Sequence, residues 1–567
     1  MGFRPSNRRR APFWPVGDCK VSKVSRFVGQ VAGVVAGAAL IGSGIGAAVG
    51  APLAISGIGS AASIAQVAGA VSAVASIGTA LTSEPARAQG QVNDRIIGAN
   101  NPQPYLIGRT YSGGVQVHDV GYGGNVDDVD NPYRFIPVVY SCCGPVQGLE
   151  SVQLDFEAVS FSGTSALGYY SDYFWRDYQL GARPEADALA PHFAGAPDWG
   201  SAHKLSSFAA IGYSLKWSKK GKRFAGGQLP VIGAIWQGVK VYDPRLDSTF
   251  PGGSGTCRAG DESTYVYQAN PATHSGTYAY GRYVNGVKVF GVDLGAAGVN
   301  FADVAAWANV CDANGWTVNG TIYEPGDKWN NLKRIAEAGA GFPVLVGGKL
   351  GFDYRAPRAS LYTITRDDLA DGVISSQLNK EWKSRHNVLV PKYRSEAHQW
   401  SFQQAGAARV AAFVTADGEE KSDEKQWDLV TDVDQVTQLA YYELYQRREG
   451  GPFTLPLKPH MRDYEPGDCL TLGADLGVHP SGAIKAVVRS TSGDPGSGIV
   501  TLEFEQETDA KHPAALSATG VAPAAFVPPT SEELDGTYYY NNLDPASVTV
   551  DSATLTCDTT GETVDAR

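Results

Sequence analysis

Several stretches of the chain alternate apolar and polar residues with a period of two. Val231-Ile-Gly-Ala-Ile-Trp236 and Val239-Lys-Val-Tyr242 flank Gln237-Gly238, which predicts two strands about a turn. Val344-Leu-Val346 and Lys349-Leu-Gly-Phe352 flank Gly347-Gly348, a pair suited to the positive φ angles of a tight hairpin. Near the end, Ile484, Ala486 and Val488 alternate with Lys485 and Arg489. Val500, Leu502 and Phe504 alternate with Thr501, Glu503 and Glu505. The turn-rich Asp494-Pro-Gly-Ser-Gly498 links these two runs, so a strand pair with one buried and one solvated face is expected.

Helical spacing is rarer. Asn300 caps a run with Asp303 three residues on. Its inward stripe is Val304, Trp307, Ala308 and Cys311, and Asn314-Gly315 ends it. Asp327 opens a short helix carrying Trp329, Leu332 and Ile335 inward and stopping at Gly339. The longest run starts at Thr431, with Val433, Val436, Ala440 and Leu444 at helical spacing. Arg447 and Arg448 sit in its last turn, where cations suit the dipole, before Gly450-Gly451-Pro452. From Val521 to Pro529 the chain is Ala/Pro-rich and reads as a linker. It precedes a short β-type tail with Tyr538-Tyr-Tyr540 and Val548 to Cys557.

Phe27 to Ser83 carries no charge over 57 positions. Two arms, about 28–50 and 61–81, flank Pro52 and Gly57-Ile58-Gly59, and each is long enough to span a bilayer. Small residues recur four apart at Gly33/Gly37, Gly42/Gly46 and Gly46/Gly50, a spacing that lets helices approach closely. Gly and Ala fill 27 of the 57 positions, so the apolar driving force for insertion is modest. Three readings stay open: a helical hairpin buried in an assembly, a segment that inserts conditionally, and a permanent anchor.

The 567 residues are 43% hydrophobic and 19% charged, a globular balance with room for three or four domains. The net charge is −11, but residues 1–26 hold Arg4, Arg8, Arg9, Arg10, Lys20, Lys23 and Arg26 against Asp18 alone. The body is therefore strongly acidic, which argues against sequence-specific nucleic-acid binding. Seven Cys without a CxxC pair support neither a disulfide framework nor a zinc site; buried, reduced thiols are expected.

No HExxH, Walker loop or GxSxG occurs. His118, His398 and His460 have no metal-ligand spacing. Ser201-Ala-His-Lys204 matches S-x-x-K without its K-T-G partner. Asp127, Asp128 and Asp130 lack the pattern of a calcium loop. No catalytic, cofactor-binding or metal-ligating residue is expected, although the 58 acids leave a carboxylate pair for glycoside hydrolysis open.

Two stretches carry a family resemblance. Phe135-Ile-Pro-Val-Val-Tyr-Ser-Cys-Cys-Gly-Pro-Val-Gln-Gly-Leu-Glu150 resembles the strand and Gly-Pro-Ile-x-Gly-Ile run of lambda-type tip attachment proteins of long-tailed phages. Pro104-Tyr-Leu-Ile-Gly-Arg109 with Gly113-Gly114 is similar to that family's opening segment. Val239-Lys-Val-Tyr-Asp-Pro-Arg245 resembles its Lys-x-Tyr-Asp-Pro-Arg. Asn270-Pro-Ala272, Gly291-Val-Asp293, Ala308-Asn-Val-Cys-Asp312, Asn319-Gly320 and Gly347-Gly348 follow in the same order. Leu361-Tyr-Thr-Ile-Thr365, Asp367-Asp368 and Pro466-Gly-Asp468 resemble the hub portion shared with gene-transfer-agent tail proteins.

The resemblance implies an α+β, predominantly β protein: several β-barrel or sandwich-like hub domains with a few helices; the N-terminal apolar helical segment is this chain's own addition, read from its residues. Its divisions are a basic arm (1–26), the apolar segment (27–88), a first hub region with an inserted β domain (89–245), an α+β hub domain (246–350), a second β-barrel hub domain (351–520) and a linker with a short tail (521–567). It implies a structural virion protein, a non-enzymatic homotrimer that closes the tail tube at its tip and opens for DNA delivery. It would assemble in the host cytoplasm beside distal tail, tail-tube and tape-measure proteins and a separate receptor-binding fibre. The segment with Gly33, Gly37, Gly42, Gly46, Gly50 and Pro52 would sit in the lumen or meet the host membrane transiently. Gly144, Pro145, Asp243, Pro244 and Arg245 are structural turns, where Gly and Pro set backbone angles and an Asp–Arg pair pins a loop. A tail-associated wall-degrading hydrolase and a membrane-anchored adhesin or toxin are the rival readings.

Overall fold

The computed structural model describes residues 95–97, 101–217, 223–224, 229–323, 327–378 and 380–525, and the backbone of 554–556 and 563–565. The basic arm, the charge-free segment with its glycines and Pro52, Cys19, Cys557 and residues 538–540 lie outside them. The described chain is predominantly β with few helices. No helix among the described residues is long and apolar enough to cross a membrane.

Two sheets face each other in the first part. One is eight-stranded, centred on Tyr133–Ser141 and Ala209–Lys216; the other is four-stranded, centred on Val146–Leu154 and Ile232–Val239. Ile136, Val138 and Tyr140 meet Ile211, Tyr213 and Leu215 on one side, and Val152, Leu154, Ile232, Ala234 and Trp236 on the other. Alternate residues of Tyr133–Ser141 face a second cluster, with Phe135 and Val139 packed on Tyr122 and Leu189. This strand is buried on both faces, which is why it reads as an unbroken apolar run. Tyr140 and Tyr213 satisfy each other's hydroxyls inside the sandwich at 2.6 Å.

The expected hairpin at 231–242 is instead one strand, Ile232–Val239, running straight through Gln237-Gly238. The glycine serves a close approach. Gly238 N donates to Gly108 O at 2.7 Å, and a Cβ there would stand 2.6 Å from Leu106 O. The Gly347-Gly348 hairpin forms as expected, joining Gly341–Val346 to Lys349–Tyr354 with φ of 55° and 80° at the two glycines.

The helices Pro271–Tyr280, Phe301–Asn314, Lys328–Glu337 and Val433–Gln446 pack onto the same core. Asn300 caps the second, and its stripe of Val304, Trp307, Ala308 and Cys311 is buried as expected. Leu332 and Ile335 are buried in the third, but Trp329 is 44% exposed and faces solvent. The stripe runs instead through Asn331, Leu332, Ile335 and Ala336. The long helix begins one residue later than expected, capped by Asp432 rather than Thr431. The Asp432 carboxylate accepts from Gln435 N at 2.7 Å.

A second core is enclosed by six strands in the order Thr363–Ile364, Cys469–Leu472, Ile484–Gly493, Val500–Gln506, Phe453–Leu457, Ser375–Ser376. The single segment 363–376 supplies both outer strands, pairing with Cys469–Leu472 and with Phe453–Leu457, and Ala370 N also reaches Pro456 O at 3.0 Å. One short stretch of chain therefore joins the two edges of the sheet, and each edge strand is only two residues long. Residues 388–446 lie between the two halves of this sequence, yet pack on the larger core.

The two cores meet through buried ions. Asp353 is paired with Arg358 and Arg489, and Arg489 also reaches Glu505 at 2.7 Å. Burial alone would raise the Asp353 carboxyl; Arg489, Arg358 and Arg355 outweigh it and hold the group ionised. Lys511 Nζ lies 2.9 Å from Glu449 and 2.8 Å from Glu507, whose other oxygen lies 2.8 Å from His512 Nε2. Residues 521–524 do not run free as a linker: Gly406 N donates to Val521 O, and His398 Nε2 lies 2.8 Å from Ala524 O.

Gly238→Ala drives a methyl group into the Leu106 backbone and is expected to cost about 1–3 kcal/mol. Gly148→Ala, with nothing within 4 Å of the new Cβ, is the control and stays within about 0.5 kcal/mol. Urea midpoints of the two variants read the difference.

Candidate functional site

The Asp243-Pro244-Arg245 turn is the most heavily bonded loop of the larger core. Proline sets the first position of a short 3-10 turn, and the buried Asp243 carboxylate caps it by accepting from Arg245 N at 2.9 Å. The Arg245 guanidinium folds back on the same carboxylate, Nε to Oδ1 at 3.0 Å and an NH2 group to Oδ2 at 2.8 Å. Its remaining nitrogen reaches Asn309 at 3.0 Å and Asp312 at 2.7 Å, both on the Phe301–Asn314 helix. Asn270 completes the group. Its Oδ1 caps the Pro271–Tyr280 helix, and its Nδ2 donates to Ala308 O and to Asp312 Oδ1 at 2.7 Å.

Gly144-Pro145 sits elsewhere on this core. A Cβ at Gly144 would stand 2.7 Å from the carbonyls of Leu180 and Gly181, so only glycine fits the crossing. The peptide bond to Pro145 is cis. Sequence reasoning missed the residue that joins the two turns. Arg282, 2% exposed, donates to Lys240 O at 2.6 Å on one side and to Cys143 O at 3.1 Å on the other. It pairs with Glu262 at 3.0 Å and lies 5.9 Å from the ring centre of Tyr105 and 5.5 Å from that of Tyr265. No local pattern marks a buried arginine, because its partners come from four distant segments.

His274 lies on the same core, with Nε2 2.8 Å from Gln268 O. Burial pushes it down to about 4. The bond to Gln268 opposes this shift, and the nearby Arg282 adds to it. His118 is stacked against Trp199, His398 is bonded to Ser395 and Ala524, and His460 lies 3.0 Å from Asp368. Lys204 Nζ donates to Ala186 O rather than approaching Ser201. Asp127 and Asp128 occupy a tight turn with φ of 53° and 61°. The described cysteines 142, 143, 257, 311 and 469 are all buried and free of disulfides. Among the described residues no group of three His, Cys, Asp or Glu could hold a metal ion. The arrangement pins loops to helices.

No family model and no curated protein matches the chain. Among solved structures, it is similar to a chain of the virion of a native gene transfer agent particle, at 15% identity. That match covers 82% of this chain and 99% of the other, with a TM-score of 0.45. It is also similar to the tail protein from Neisseria meningitidis MC58, at 11% identity over 73% of this chain and 98% of that one, with a TM-score of 0.27.

Asp243→Ala leaves Arg245 without its buried partner and is expected to cost about 3 kcal/mol. Amide exchange over 268–274 and 309–312 should accelerate, whereas strand 484–493 of the second core should not respond. His274 gives a pH dependence. The unfolded imidazole titrates near about 6.5 and the native one near about 4. Protons therefore bind the unfolded chain first, and stability falls as pH drops from the first value towards the second. His274→Gln should remove on the order of 3 kcal/mol of that acid loss, read from urea midpoints at pH 7 and pH 4.5.

Proposed function

We propose that this chain is a structural protein of a phage-type tail, a homotrimeric hub that closes the tail tube at its tip and opens for DNA delivery. One observation supports the reading: motifs far apart in the sequence, met in the order of the tip attachment family, bond to one another. The Pro104–Arg109 segment pairs with Gly320–Ile322, and Arg109 N donates to Asn319 Oδ1 at 2.9 Å. Cys142 N donates to Pro104 O, and Gly238 N to Gly108 O. Asp243-Pro244-Arg245 and Asn270 converge on Asp312. Residues that act as pins suit a scaffold. None of them sets a nucleophile beside a general base, and the carboxylates of Asp243 and Asp312 are both paired with Arg245.

On this reading the protein occupies the virion tail tip after assembly in the host cytoplasm. Its partners are two further copies, the distal tail and tail-tube proteins, the tape-measure protein and a separate receptor-binding fibre. The acidic body suits a wall that DNA slides past without sticking. The divisions near 245 and 350 separate its hub domains. The charge-free arms around Gly33, Gly37, Gly42, Gly46, Gly50 and Pro52 lie in the lumen until triggering brings them to the host envelope.

Sedimentation of the full chain in mild detergent, with negative-stain imaging, tests the assembly. A three-fold ring with a central opening, at three times 60.0 kDa, is expected. A stable monomer overturns the hub.

A further inference from the structure

Cys142 and Cys143 are adjacent in sequence, and neither is more than 2% exposed. Their Sγ atoms lie 3.5 Å apart, close enough to share a proton. Cys143 takes the left-handed backbone conformation, with φ of 60°, which turns its side chain back towards its neighbour. The other described cysteines are not paired in this way.

The surroundings are electropositive. Arg282 holds the Cys143 carbonyl at 3.1 Å, and Arg183 and Arg282 share the Glu262 carboxylate at 3.1 and 3.0 Å. The Cys142 thiol, with Arg282 and Arg183 beyond it, pulls Cys143 below the ordinary thiol range against the opposing effect of burial. Cys142 is pushed up. Arg183 and Glu262 also wall a cleft of about 420 Å³ with Ser263, Tyr280, Tyr283 and Asn285; neither cysteine lines it, so an oxidant reaches the sulfurs only on local opening.

We propose that Cys142 and Cys143 form a reversible vicinal redox pair, oxidised by a small peroxide to a disulfide between neighbouring residues. Cys143 attacks as the thiolate. The O–O bond breaks, the departing oxygen takes a proton to leave as water, and Cys143 becomes a sulfenic acid. Cys142 sulfur then attacks the Cys143 sulfur. The S–S bond closes, and the sulfenic hydroxyl leaves with the Cys142 proton as a second water. Two thiols and one peroxide become one disulfide and two waters, with two electrons passing from sulfur to oxygen.

The sulfurs must approach to about 2.05 Å, so the peptide between the two residues has to rotate. Arg282 rests on the carbonyl of the following peptide, Cys143–Gly144. A strained bridge of this kind is easily reduced. The chemistry stands independently of the tail reading.

The test treats the folded full chain with hydrogen peroxide, then unfolds it in iodoacetamide and digests it with trypsin. The fragment from Phe135 to Arg176 contains these two cysteines and no others. It is expected to carry no alkyl label and to weigh about 2 Da less than the dithiol, with dithiothreitol restoring two labelled thiols. In Cys142→Ser, Cys143 should stop at the sulfenic acid and be trapped by dimedone. Two labelled cysteines after a dose that oxidises free glutathione overturn the proposal. So do a bridge to a third cysteine and conversion straight to sulfinic acid.

Discussion

A guanidinium deep inside a β-rich core sets the terms for much of this structure. Removing a cation from water costs several kcal/mol unless its surroundings replace the lost hydration. For Arg282 that replacement comes from two backbone carbonyls, one carboxylate and two tyrosine rings. Lys240 O belongs to the chain leading into the Asp243 loop, Cys143 O to the end of a central strand, and Glu262 to a short turn before the helices. These segments cannot separate without stranding a buried charge. The neighbouring His274 stays neutral under the same constraint.

The same economy of polar joints recurs where the larger core meets the second one. Asp353 sits among arginines, and Lys511 is enclosed by Glu449 and Glu507. Apolar interfaces tolerate small slips, whereas buried ions demand particular partners at particular distances. Such joints favour a fixed relative placement of the two cores over the last increment of stability.

Legibility in the sequence followed the range of the interaction. The Phe301–Asn314 helix was readable from Asn300, its stripe and Gly315, because a cap and a 3.6-residue period are local. The Gly347-Gly348 hairpin was readable because its turn needs positive φ at both residues. Gly238 misled, since a glycine in a strand looks like a turn until the Leu106 backbone is seen crossing it. Trp329 misled because helical spacing placed it near an apolar stripe that the neighbouring elements cover only from Asn331 onward. The turns at Gly144-Pro145 and Asp243-Pro244-Arg245 were visible as turns. Their link through Arg282 was not.

The sequence by itself determined the β-rich composition, cysteines spaced without a CxxC pair, the acidic body, the charge-free N-terminal stretch, and the turns and caps that punctuate the chain. All of these depend on residue chemistry or on neighbours a few positions apart. Tertiary structure alone decided that residues 363–376 supply both edges of the six-stranded sheet and that 388–446 leave it for the other core. It alone decided that Asp312 gathers Arg245 and Asn270, and that Arg282 ties Lys240 to Cys143. Those pairings join residues tens to more than a hundred positions apart, and no periodicity along a chain encodes which distant carbonyl a buried cation will find.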